Sequence, residues 1–150
     1  MKYRMYCLVL RQLSPINKGV QTAHACLEYS QKYFKNKDYQ DYITNDKTLI
    51  MLDGGTSIDM NNIVSQLNQL DVNFAYFQEP DLGNLITAVC FVADERIWDK
   101  ENYPSFMEYL TNTFDTHKSN IESEKIWVEM VGGKNNSELI RIIENKKLSM

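Results

Sequence analysis

Two stretches of this chain hold side chains able to exchange protons or to orient a polar ligand. The first runs from Asn17 through Gln21 to His24, and the second is Glu79-Pro80-Asp81-Leu82-Gly83-Asn84, followed closely by Thr87. Imidazole and carboxylate are the groups that most often carry acid–base work near neutral pH. On a helix turning about 100° per residue, Asn17, Gln21, His24, Glu28 and Gln31 form one polar strip, while Lys18 falls roughly 120° away from His24. His24 is therefore expected to be half-buried between hydrogen-bonding neighbours. In the second stretch, two carboxylates astride a proline, with Gly83 and Asn84 behind them, describe a rigid turn that presents acids at a sheet end. The same residue types are also what turns ordinarily use.

Other candidates read more plainly. Gly54-Gly55-Thr56-Ser57 precedes a helix and offers backbone N–H groups to an anion, but it lacks the spacing and lysine of a phosphate loop, so a turn is expected. His117 stands in a polar stretch without ligand-type neighbours and is expected at the surface. Cys7, Cys26 and Cys90 lie inside apolar patterns and not in a paired spacing, which reads as reduced, buried packing residues. With 2 histidines and 3 such cysteines, the sequence leads to no expected metal site and no cofactor. Trp98 and Trp127 are expected to pin the C-terminal part of the chain to the core or to a second subunit.

The elements that position these residues follow from hydrophobic periodicity. Tyr3 to Leu10 reads as a strand. Ser14 as N-cap with Pro15 at the first helical position starts a helix to about Phe34, with Ile16, Val20, Ala23, Leu27 and Phe34 as its expected buried stripe. A polar, tyrosine-rich connection leads to a strand at Thr48–Leu52, then to a helix with Met60, Ile63, Val64, Leu67 and Leu70 on one face. Val72–Gln78 and Leu85–Ala93 read as further strands; the last is apolar on both faces and so expected at the centre of the sheet. Beyond Asp94, Pro104–Phe114 and Asn136–Glu144 read as helices and Lys125–Val131 as a short strand. The order β-α-β-α-β-β predicts an α/β fold: a three-layer α/β/α sandwich around a mixed sheet of four to five strands.

Bulk properties set limits. A chain of 150 residues, 43% hydrophobic and 24% charged, fits a single globular domain over residues 1–150, with a core at about 3–93 and a C-terminal extension at about 94–150. Its longest apolar run, Leu85 to Ala93 broken by Thr87, is far short of the roughly 20 residues of a membrane span. The first residues lead directly into a strand without a signal-peptide pattern. A cytoplasmic protein with no membrane partner is expected. The net charge of −4 repels polyanions on average, so no DNA partner is expected and any RNA contact needs a local basic patch.

Taken together, Tyr6-Cys7-Leu8-Val9-Leu10-Arg11, Leu13-Ser14-Pro15, Gln21-Thr22-Ala23-His24-Ala25 and Thr87-Ala88-Val89 resemble the type II peptidyl-tRNA hydrolases over about residues 3 to 93. The resemblance implies a β-α-β-α-β-β core, a homodimer, and cleavage without a metal of the ester between a stalled peptide and its tRNA. The sequence departs from the hydrolase pattern at two places. Where the enzymes carry Ser-Lys-Gly-Lys, this chain has Ser14, Pro15, Ile16 and Asn17; where they carry Asp-Ala-Gly-Arg-Thr-Gln, it has the segment from Glu79 to Asn84. If the chemistry persists, His24 or Glu79 is the general base, Asp81 is an alternative heir to the acidic role, and Gln21, Asn84 or backbone N–H groups stabilise the oxyanion. Asn17 and Thr87 complete the substrate-binding set. The alternative is a member of the fold that has lost turnover and binds RNA or a small nucleotide, for example a phage protein sequestering a host signalling nucleotide. A dimeric scaffold with a vestigial pocket is the third reading.

Overall fold

The structure, a computed structural model, describes residues 1–113 and 118–149; His117 lies outside the described residues. The chain forms two compact units, one of Met1–Asp94 with the last residues from Lys146, the other of Glu95–Asn145.

The first unit carries β1 (Tyr3–Leu10), α1 (Pro15–Tyr33), α2 (Lys37–Asp41), β2 (Leu49–Gly55), α3 (Ser57–Asn68), β3 (Phe74–Glu79) and β4 (Leu85–Asp94). Its four-stranded mixed sheet has the order β2-β1-β4-β3. β1 pairs parallel with β2 and antiparallel with β4, and β3 pairs antiparallel with β4. The expected α/β class and the core order of strands and helices are thus present. The central position expected for the fourth strand is also observed: β4 is buried from Thr87 to Asp94, as β1 is from Met5 to Leu10. Residues buried in unbroken runs mark strands covered on both faces. The outer edge of β2 is closed by the chain's end, where Asp53 N–H donates to Lys147 O at 2.8 Å and Ser149 N–H to Met51 O at 2.9 Å. Such cover removes an edge open to unwanted pairing.

Local chemistry starts α1 and α3 where the sequence predicts them. The Ser14 hydroxyl accepts the Asn17 N–H at 3.3 Å, with Pro15 inside the first turn of α1. Thr56 and Asp59 form a reciprocal capping box on α3. The tyrosine-rich connection is more ordered than expected: Asn36 caps α2, and a π-helical turn follows over Tyr42–Asp46.

The face of α1 is the main correction. Ile16, Val20, Leu27 and Phe34 are exposed, at 81%, 44%, 68% and 57%, and Ala23 is exposed as well. The buried face is Gln21, Thr22, Ala25 and Tyr29, which packs over β3 and β4. Close approach explains it. The Ala25 carbonyl lies 3.2 Å from Cys90 Sγ, a spacing that the small Ala25 permits, and the buried Gln21 side chain finds polar partners on the sheet.

In the second unit, α4 spans Phe106–Asn112, α5 Asn120–Met130 and α6 Lys134–Ile143. The strand expected at Lys125–Val131 is helical. A capping box of Ser119 and Glu122 starts α5 upstream and carries the helix through Ile126-Trp127-Val128, whose β-favouring side chains suggested the strand. Trp127 is fully buried; its indole donates to Pro104 O at 2.9 Å and its ring meets Phe106, so it holds the second unit together.

Candidate functional site

Topology gathers the polar residues of interest at one end of the sheet. The register pairs Val9 with Ala88, Leu10 with Gly55 and Glu79 with Leu85. The C-terminal ends of β1, β2 and β3 and the N-terminal end of β4 therefore share one edge of the first unit, and the chain leaving β1 starts α1 there. In sheets with parallel strands, this is where ligands commonly bind.

A hydrogen-bonded chain joins α1 to the β3–β4 turn. The Thr87 hydroxyl donates to Gln21 Oε1, and Gln21 Nε2 donates to Glu79 Oε2 at 2.8 Å. Thr87 is fully buried and Gln21 is 6% exposed, so this chain is largely screened from water. Glu79 is half-buried at its end and accepts the Asp81 N–H at 3.3 Å through its other oxygen. These two donors, first the Gln21 amide and then the Asp81 N–H, hold the Glu79 carboxyl below the usual carboxylate range, and the His24 charge adds to the effect. His24, one turn beyond Gln21, is half-buried and stacks on Phe77, with ring centroids 4.4 Å apart and planes 16° from parallel. Phe77 sits two residues before Glu79 and so on the same face of β3. The imidazole and the Glu79 carboxylate thus flank the same corner.

The turn itself is tight. Pro80–Leu82 forms one 3₁₀ turn, Gly83 and Asn84 take left-handed φ values of 66° and 62°, and the Asn84 N–H donates to Glu79 O at 2.9 Å. Asp81, Asn84 and Asn17 are all exposed. Among the sequence-derived residues, Gln21, Glu79 and Thr87 are joined directly. His24 joins them through Phe77, and Asp81 and Asn84 join them through backbone contacts with Glu79.

No protein-family model matches this chain, and no curated protein matches it significantly. The site therefore stands on its geometry.

Sequence reasoning missed three contributors. Arg11, just past β1, places its Nε 2.8 Å from Asp53 Oδ2 at the end of β2. Burial acts to raise the Asp53 carboxyl, but the Gly55 N–H, the Arg11 guanidinium and the Lys18 charge outweigh it and hold the group low. The Lys18 charge thus acts on Asp53 at the end of β2. Charged residues ending two adjacent parallel strands were the available signal for Arg11 and Asp53. For Phe77 the signal was the two-residue strand period from Glu79. A shallow groove of about 650 Å³ between Lys100, Pro104, Met107 and Thr111 lies wholly in the second unit and holds none of these residues.

Proposed function

We propose that this chain is a peptidyl-tRNA hydrolase-like ester hydrolase in which His24 is the general base for water. The observation that carries the reading is the coupling of α1 to the acidic turn through Thr87, Gln21 and Glu79 beside the His24–Phe77 stack. Glu79, held ionised by its two donors, is a weak base. It serves better as the charge that stabilises the imidazolium formed when His24 takes a proton from water. The Gln21 amide is committed to Glu79, so oxyanion stabilisation falls to Asn84, Asn17 or the backbone N–H groups of the turn. Asp81, exposed at the rim, orients the substrate. The test is release of peptide from a model peptidyl-tRNA by the pure chain; an inert wild type removes the reading.

The second reading is a binder of RNA or a small nucleotide without turnover, including sequestration of a signalling nucleotide. It is favoured by one specific feature. The buried polar groups here satisfy one another and lower the basicity of Glu79, while Arg11 and Lys18 supply cationic charge at the same end of the sheet. A ligand selective for the native state raises stability as ln(1 + [L]/Kd), so thermal shifts across a nucleotide panel separate this reading from hydrolysis. No shift and no hydrolysis leave the scaffold.

A homodimer is the proposed assembly. The exposed stripe of Ile16, Val20, Ala23 and Leu27 on α1 supports it, since contiguous apolar surface marks interaction sites. Sedimentation of Leu27→Asp against wild type tests it: wild type should sediment as a dimer and the variant as a monomer. No helix among the described residues is long and apolar enough to cross a membrane. A reducing, cytoplasmic setting is the proposed one for the 3 free cysteines.

A further inference from the structure

Cys7, Cys26 and Cys90 are distant in sequence and come from three different elements, β1, α1 and β4. The fold brings their sulfurs together, with all three Sγ atoms within 4.8 Å of one another and Cys7 Sγ 3.8 Å from Cys26 Sγ. Cys7 and Cys90 are direct cross-strand partners, and Cys26 descends on the pair from the helix above. Packing alone asks for small apolar side chains here. It does not ask for three thiols that meet.

We propose that Cys7, Cys26 and Cys90 form a three-coordinate all-sulfur site for a soft monovalent metal ion, Cu(I).

The geometry fits such an ion. The centre of a sulfur triangle with these edges lies about 2.2–2.8 Å from each corner, which includes the ~2.3 Å of a metal–thiolate bond. The chemistry narrows the choice. Thiolates select soft ions, whereas calcium and magnesium require oxygen ligands. Structural zinc wants four ligands, and among the described residues these three cysteines are the one such cluster of metal-binding side chains. The surroundings, including Met5, Val9, Ala25, Tyr29 and Ala88, are buried and largely apolar, so the coordinated ion would be shielded from water. Access is through Cys26, the only one of the three that is not fully buried. Each sulfur that coordinates as thiolate gives its proton to solvent, with no change of oxidation state.

The test is anaerobic titration of the reduced full chain with Cu(I), supplied as its acetonitrile complex and competed by a chromogenic Cu(I) chelator, with X-ray absorption on the loaded protein. The expected result is one Cu(I) per chain, three sulfur neighbours near the metal, and an affinity lowered about 100-fold or more in Cys26→Ser. Failure of the wild type to compete with the chelator overturns the proposal. So does equal binding by Cys26→Ser, or an absorption spectrum without three sulfur neighbours. If the variant does not fold, the stoichiometry and sulfur count of the wild type decide. Neither readout depends on hydrolysis or nucleotide binding at the His24 corner.

Discussion

Replacing Thr87 by valine keeps the side chain's shape and exchanges its hydroxyl for a methyl group. That hydroxyl is fully buried and supplies the hydrogen bond to Gln21 Oε1, itself on a residue only 6% exposed. The variant leaves a buried carbonyl oxygen without its donor, which costs about 1–3 kcal/mol. The new methyl group returns about 0.8 kcal/mol through burial, so a net loss of about 0.2–2.2 kcal/mol is expected. The molecule contains its own control. Thr22, on the same helix and 2% exposed, has a buried hydroxyl that makes no hydrogen bond. Thr22→Val removes an unsatisfied group and should be neutral or stabilising by up to about 1 kcal/mol. Urea unfolding read by far-ultraviolet circular dichroism compares the two variants at unchanged slope. Tryptophan fluorescence is the wrong probe, because Trp98 and Trp127 both belong to the second unit. Equal effects of the two substitutions would refute the view that the Thr87–Gln21–Glu79 chain holds α1 to the turn.

Two further outcomes follow from the same structure. Glu79 is held below its ordinary value, so its contribution to stability is present above the usual carboxylate range, about pH 4.3, and is lost as pH falls through the folded-state value; acid titration of Glu79→Gln should show a shallower loss of stability below about pH 5 than wild type. Gly54→Ala would drive a methyl into Met60 Sδ and to 3.0 Å from Val9 O, so thermal or urea unfolding should show a loss of about 1–3 kcal/mol from overpacking.

The elements were readable because their signals are local. Ser14-Pro15 and the Leu85–Ala93 run each carry their own boundary or burial information, and the structure places both where the periodicity does. The roll of α1 was not readable. Its strongest apolar stripe, Ile16 to Leu27, faces away from the sheet, while the buried side carries Gln21 and Thr22. A rule that buries the most hydrophobic face cannot anticipate an amide that becomes tolerable only through Thr87 and Glu79, more than fifty residues away. The three cysteines show the same limit: Cys7 and Cys90 were legible as core residues and Cys26, expected buried, is only partly so, while their convergence depends on strand register and helix height. The acidic turn was legible as a turn, and its tie to α1 was visible only in three dimensions. In the second unit, Ile126-Trp127-Val128 misled through β propensity, because the capping box upstream had already committed the segment to a helix.

The most direct test of the proposed hydrolase is single-turnover release of peptide from a model peptidyl-tRNA by wild type and by His24→Ala, with folding of both confirmed by circular dichroism. The account predicts measurable release by wild type and a rate about 10²–10⁴-fold lower in the variant, the usual contribution of one general base. Equal rates in the two proteins, or no release by wild type, would contradict it.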